Sequence, residues 1–317
     1  MNKRLFPLAF CFTLPFTLAC FGCGPKVEDD KIDIVCTVFP EYEWTRAIVG
    51  ENNPSLRVSF LLSSGADMHS FQPTFKDIET ISASDLFIYV GGESDAWVKD
   101  VLKQAPSQTR SELNLMDAIE PFLVYEEHKE GMEENDEEEE EEAYDEHIWL
   151  SLRNASACVD AITTKIIALD NENKDTYQAN AASYKERLSS LDSSYKAMVS
   201  GKSQKTLLFA DRFPFRYLVR DYSLDYYAAF SGCSADAEAS ISTIAFLANK
   251  VDELNLHTIL CLESSDQKLA NTVKQATKAK NQTIAVLDSM QSMSNRQNKT
   301  YLETMQENLS VLEGALE

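Results

Sequence analysis

The chain has 317 residues, 44% of them hydrophobic and 10% aromatic, enough apolar material for two cores of the usual size of about 100–150 residues. With 51 acidic against 29 basic side chains its formal net charge is −22, which excludes nucleic acid as a partner, because a polyphosphate needs a basic footprint. The segment from Glu126 to Glu146 alone holds 14 acids and one Lys, a net of −13, which leaves an unexceptional −9 for everything else.

The N-terminus reads as an export signal. Lys3 and Arg4 precede Leu5 to Ala19, an apolar run without charge that is too short for a membrane span of about 20 residues. Cys20 follows Ala19 and Cys23 follows Gly22; a cysteine directly after a signal's apolar core resembles a bacterial lipoprotein processing site. Residues 1–23 are therefore expected to be the signal and 24–31 a polar tether. The folded part is expected outside the cytoplasm, lipid-anchored on the outer face of the cytoplasmic membrane, in the periplasm if the cell has an outer membrane. Cys11 lies inside the signal. Export permits a disulfide, for which Cys233 and Cys261 are the candidate pair, whereas Cys36 and Cys158 are expected as buried free thiols.

From Lys31 onward strand and helix signals alternate. Strands are expected at Ile32–Val38, Leu56–Leu62 and Leu86–Val90, with helices at Glu41–Val49, Asp77–Ala83 and Ser94–Lys103. This alternation implies parallel βαβ units in a first lobe, residues 32–170, which includes the acidic loop 126–146 and a helix from Asn154 to Leu169. A long helix follows over Lys174–Val199. Its apolar positions Tyr177, Ala181, Tyr184, Leu188, Leu191, Tyr195 and Met198 alternate spacings of four and three, one continuous stripe. At 1.5 Å per residue it spans about 40 Å, the length of two lobes. The segment 171–200 is thus a linker to a second lobe, residues 201–317. There, strands are expected at Lys205–Ala210, Tyr226–Phe230, His257–Leu262 and Thr283–Leu287. Helices are expected at Pro214–Arg220, Ile241–Leu254, Gln267–Lys278 and Thr300–Leu316. The fold class is α/β, two parallel lobes joined by one long helix.

Ligands of parallel α/β lobes bind at the carboxyl ends of strands, and the four histidines can be weighed against that rule. His69 stands in a loop just after the second strand. His147 stands where Asp145-Glu146 turns abruptly into Ile148-Trp149-Leu150, a side chain at the mouth of a cleft. His257 precedes a strand without an acidic partner nearby, and His128 lies in the acidic run.

Two motifs carry a resemblance. Asp67-x-His69-x-Phe71-x-Pro73-Thr74-x-x-Asp77 resembles the first ligand motif of the metal-specific solute-binding proteins of bacterial ABC importers, the zinc/manganese cluster. Asp145-Glu146-His147-Ile148-Trp149-Leu150 resembles the second, usually D-P-H-x-W-L. Ser84 to Tyr89 matches the strand between them, and the long helix matches the family's rigid linker. The resemblance spans about Ile32 to Leu316 and implies a metal site in the cleft between the lobes. It implies two further ligands from the second lobe. Counting back from Phe215-Arg216-Tyr217-Leu218 puts Arg212 at the third ligand position, where a cation cannot bind metal; the neighbouring Asp211 is its substitute. The fourth falls at Asp288, directly after the last strand, with Glu238 and Glu263 in reserve. The implied set is His69, His147, Asp211 and Asp288.

Two imidazoles and two carboxylates suit Zn²⁺ in a tetrahedral site, with a manganese- or iron-binding receptor of the same importer class the alternative, because carboxylates favour manganese (Mn²⁺). The stretch from Asp211 to Glu238 and the charged loop before His147 resemble the zinc branch. What is implied is a monomeric, non-enzymatic receptor that hands Zn²⁺ to an ABC permease and its ATPase. A secreted zinc hydrolase is a remote alternative, and the sequence holds no HExxH. The six-Glu run, Glu137 to Glu142, fits either a weak cation collector or a solvated loop.

Overall fold

The computed structural model describes residues 31–50, 53–62, 66–133, 143–232, 238–291 and 299–317. The expected signal, residues 24–30 of the tether, Cys11, Cys20, Cys23 and Cys233, and the whole six-Glu run lie outside the described residues.

The first lobe runs β1 (Ile32–Cys36), α1 (Phe39–Val49), β2 (Leu56–Phe60), α2 (Phe75–Ala83), β3 (Leu86–Tyr89), α3 (Ala96–Gln104), β4 (Ser111–Asn114), α4 (Leu115–Ala118) and α5 (Leu152–Leu169). The helix α6 (Lys174–Ser200) leads to β5 (Thr206–Arg212), α7 (Arg216–Tyr222), β6 (Asp225–Phe230), α8 (Ile241–Leu254), β7 (Thr258–Leu262), α9 (Lys268–Ala276), β8 (Thr283–Leu287) and α10 (Tyr301–Ala315). Each lobe holds a four-stranded parallel sheet, ordered β2-β1-β3-β4 in one and β6-β5-β7-β8 in the other. The order reverses beside β1 and beside β5, so the loops there leave in opposite directions and open a crevice at the strands' carboxyl ends.

Local chemistry explains most boundaries. In the central strand β1, Ile34, Val35 and Cys36 are all buried, as expected of a parallel strand covered on both faces. Pro40 sits in the first turn of α1, where its missing N–H costs nothing. Thr74 and Asp77 close a capping box at the start of α2, and Thr300 and Glu303 do the same for α10. The strand β4 was not expected, because Ser-Glu-Leu-Asn offers one apolar residue, Leu113, to the core.

The 27-residue helix α6 buries Tyr177, Ala181, Tyr184, Leu188, Leu191 and Tyr195, and its stripe ends on Val199 rather than Met198. It packs against α1, α5 and α10. Asn180 donates to the Ile48 carbonyl at 2.9 Å, and the Tyr195 hydroxyl donates to the Met305 carbonyl at 2.6 Å. The linker is thereby bonded to both lobes. Helix α10 also returns to the first lobe, where Tyr301 meets Trp44 edge-on at 5.3 Å and donates to the Trp149 carbonyl at 2.6 Å.

The start of the acidic segment lies along the second lobe. Glu127 pairs with Arg216 at 3.3 Å, and the Glu133 N–H donates to the Ala229 carbonyl at 2.9 Å. Tyr125 and Tyr144 stack at 4.4 Å across a short antiparallel bridge. Cys36, Cys158 and Cys261 are buried free thiols. Among the described residues no helix is long and apolar enough to cross a membrane.

Candidate metal centre

His69 is held by a turn rather than by regular structure. Asp67 caps a single 3₁₀ turn, Met68–Ser70, by accepting the His69 N–H on Oδ1 at 3.0 Å, and buried Met68 pins the turn to the core. The imidazole Nδ1 lies 2.7 Å from Ser94 Oγ and 3.1 Å from Glu146 Oε1. Ser94 also donates its hydroxyl to Glu146 Oε1 and its N–H to Oε2, the latter at 2.9 Å. This triangle requires Gly92, whose φ is 81° and whose added Cβ would stand 2.7 Å from Glu146 Oε2; glycine reaches that conformation without a Cβ penalty.

His147 is fully buried and is oriented by its own neighbour. Asp145 Oδ1 accepts the His147 N–H at 2.8 Å and its Nδ1–H at 3.0 Å. The next three residues, Ile148, Trp149 and Leu150, form a buried turn, from which Trp149 Nε1 donates across the lobes to the Ser289 carbonyl at 2.8 Å. Gly232 of the second lobe approaches the ring so closely that a Cβ would lie 3.1 Å from His147 Cε1.

The consequence is convergence. A carboxylate can only accept, so each Nδ1 carries the proton and each Nε2 is left as a bare lone pair. The two Nε2 atoms are 3.2 Å apart. Gln291, from the loop after β8, sets its carboxamide nitrogen 2.9 Å from His69 Nε2 and also in contact with His147 Nε2. Amide oxygen and nitrogen exchange by a half-turn of the group, so the same side chain offers an N–H pair to the imidazoles or an oxygen to a cation.

Electrostatics follow the same plan. Burial opposes charge on His147, but Asp145 and then Glu146 outweigh it and raise its pKa. Burial likewise opposes ionisation of Glu146, yet the His69 hydrogen bond, His147 and Ser94 bring it down to about 2. The metal-capable atoms of His69, Glu146 and His147 all lie within 4.8 Å of one another. Glu146 faces the Nδ1 side of His69, and its oxygens are already bonded to Ser94. From there it orients the His69 ring, and its carboxylate is also within reach of a metal held with the two imidazoles.

The second lobe's expected ligands sit differently. Asp211 accepts the N–H groups of Arg212 at 2.9 Å and Leu262 at 3.1 Å, one on each oxygen. Asp288 Oδ1 accepts the Met290 N–H at 2.9 Å. Neither carboxylate joins the cluster of His69, Glu146 and His147 among the described residues. Glu263 grips Ser289 through its N–H at 2.8 Å and its hydroxyl at 2.9 Å; burial, then the charge of Asp288, pushes its pKa up to about 7. Glu238, His128 and His257 are exposed. Sequence reasoning missed Gln291, Ser94 and the orienting role of Glu146. The resemblance pointed to Asp288 in the loop after the last strand, and Gln291 lies three residues further along that same loop, where amides were not searched.

Two parallel α/β lobes, with two first-lobe imidazoles meeting a loop of the second lobe, define a solute-binding protein with a metal-ligating cleft. The chain belongs to the family described as "ZnuA: Zinc-uptake complex component A periplasmic", which matches residues 34–315. This is a family of binding proteins, not of enzymes. The chain is 30% identical over 299 residues to "Zinc-binding lipoprotein AdcA" of Streptococcus pneumoniae, covering 94% of this chain and 58% of that protein. It thus spans less than two thirds of that longer relative. It is 30% identical over 316 residues to "High-affinity zinc uptake system protein ZnuA" of Bacillus subtilis, covering 98% of this chain and 97% of that one. In three dimensions it resembles the Zn(II)-bound ZnuA-like domain of S. pneumoniae AdcA, with a TM-score of 0.71 and 28% identity over 90% of this chain and 99% of that domain.

Proposed function

We propose that the chain is an exported, lipid-anchored receptor that captures Zn²⁺ between its lobes and delivers it to an ABC permease and its ATPase. The observation that carries this reading is the pair of Nε2 atoms 3.2 Å apart, each backed by a carboxylate on its far nitrogen. Lone pairs held that close repel unless a hydrogen-bond donor or a cation stands between them. His69 and His147 supply two nitrogens and Gln291 an oxygen, a borderline donor set that suits zinc. Asp288 and Asp211 rank behind Gln291 as ligands, because backbone N–H groups already occupy Asp288 Oδ1 and both oxygens of Asp211.

The periplasmic family description and the lipoprotein name of the streptococcal relative support export and anchoring, through Cys20 or Cys23. The zinc uptake role of the B. subtilis relative supports the permease as partner. Titrating the mature protein with zinc tests the reading: one equivalent should bind tightly, and His69→Ala with His147→Ala should abolish it. Retained tight binding in that double variant would refute the site. Titration against manganese decides the metal, with zinc expected to win because two imidazoles dominate the donor set.

A further inference from the structure

Arg212 ends β5 in the second lobe. Pairing with β6 is irregular there, passing from Phe209–Ala228 to Arg212–Phe230, and such a bulge re-aims the side chains on it. Arg212 Nη2 crosses the cleft and donates to Asp67 Oδ2 at 2.8 Å; the two side chains are only 13% and 23% exposed. The other oxygen of the same carboxylate accepts the His69 N–H at 3.0 Å. One acid therefore couples a strand of the second lobe to the turn that carries a first-lobe histidine. Exposed ion pairs contribute little. This pair is mostly shielded from water, and its acid also caps the turn.

We infer that Arg212 is a positioning residue: through Asp67 it latches the second lobe onto the His69 turn and slows the exchange of a metal held by His69 and His147. The inference rests on the metal-centre reading above. A second way for the pair to act is through its field alone, and the two differ in sign. Were the charges acting alone, Arg212→Gln would leave Asp67 negative beside the cation and slow its release, whereas Asp67→Asn would remove that negative charge and leave the Arg212 cation to speed it. A latch is broken equally by either change, so both must speed release. Asparagine still caps the turn, which confines Asp67→Asn to the interlobe tie.

The test uses the mature protein loaded with zinc and mixed with excess chelator in a stopped-flow instrument. Each single variant should release zinc about fivefold faster, the factor that about 1 kcal/mol produces. The double variant should be no faster than either single, because both remove the same tie, and Arg212→Lys should recover part of the delay. Opposite signs for the two singles, unchanged rates, or fully additive effects would overturn the latch. In the metal-free protein, amide exchange across residues 67–71 should quicken in both singles; unchanged exchange overturns it as well. If the wild-type protein binds no zinc, the metal reading fails while amide exchange still decides the latch.

Discussion

The two lobes share one sheet order, yet they bring opposite chemistry to the centre. The first lobe supplies both imidazoles, each locked through Nδ1 by an acid, Asp145 or Glu146. The second lobe supplies a neutral carboxamide, Gln291, and a cation, Arg212, tied to Asp67. Its own acids face inward on themselves, with Asp211 on backbone N–H groups and Glu263 on Ser289. The lesson is a division of labour. The two imidazoles and the acids that orient them are built into one lobe, and the tie across the cleft into the other. Zinc affinity should therefore be sensitive to the first lobe and metal exchange to the second.

The largest effect expected is at the imidazoles, where His147→Ala alone should remove tight zinc binding as measured by competition with a fluorescent chelator. Next come the acids behind them. Asp145→Asn and Glu146→Gln should each weaken zinc by about 10–100-fold with stoichiometry retained, the usual cost of losing a ligand's hydrogen-bond partner. Gly92→Ala should act on the same triangle. Its positive φ costs a residue with a Cβ roughly 1–2 kcal/mol, and the added carbon would displace Glu146, so thermal stability and zinc affinity should fall together.

Acidity sharpens the comparison further. On the proposed site, a proton and zinc compete for His147 Nε2, and that residue's pKa is raised. Affinity should then fall about tenfold per pH unit below the raised value, starting at a higher pH than the ordinary histidine value of about 6.5 would give. Glu146, at about 2, stays ionised throughout this range. The metal-free protein should show the opposite sign at His147. The stability its raised pKa contributes is full below the unfolded value and is lost as pH rises through the folded one. Calorimetry of the metal-free and zinc-loaded forms across pH 5–8 checks both.

The second lobe should give the smaller losses. Gln291→Ala should weaken zinc on the order of tenfold, the loss of one polar contact to the centre. Asp211→Asn should lower the melting temperature by a few degrees and leave zinc affinity unchanged. A collapse of binding in Asp211→Asn would make that residue a ligand and break the division between the lobes.

Much of this was legible in the chain. Alternating strand and helix periods, and a stripe of seven apolar positions along α6, depend on local patterning, and they fixed the two-lobed architecture. His69 and His147 stood out as candidates because the chain has only four histidines, one of these two in a loop just after a strand and the other where acidic residues turn abruptly apolar; the structure brings their rings together. The strand β4 was not, since its burial comes from neighbours that lie far away in sequence. Gln291 was not, because an uncharged amide in a loop carries no ligand signature until folding sets it against two imidazoles. Arg212 was legible only as an anomaly at a ligand position. Its partner Asp67 lies 145 positions away, a distance that no local pattern spans.

X-ray absorption at the zinc edge, on the mature protein loaded with one equivalent, tests the central claim most directly. Two first-lobe imidazoles should appear with Zn–N near 2.0–2.1 Å, the remaining shell should be oxygen, and His147→Ala should remove one imidazole. A zinc site without imidazole scattering, or a spectrum unchanged in the His69→Ala and His147→Ala double variant, would contradict it.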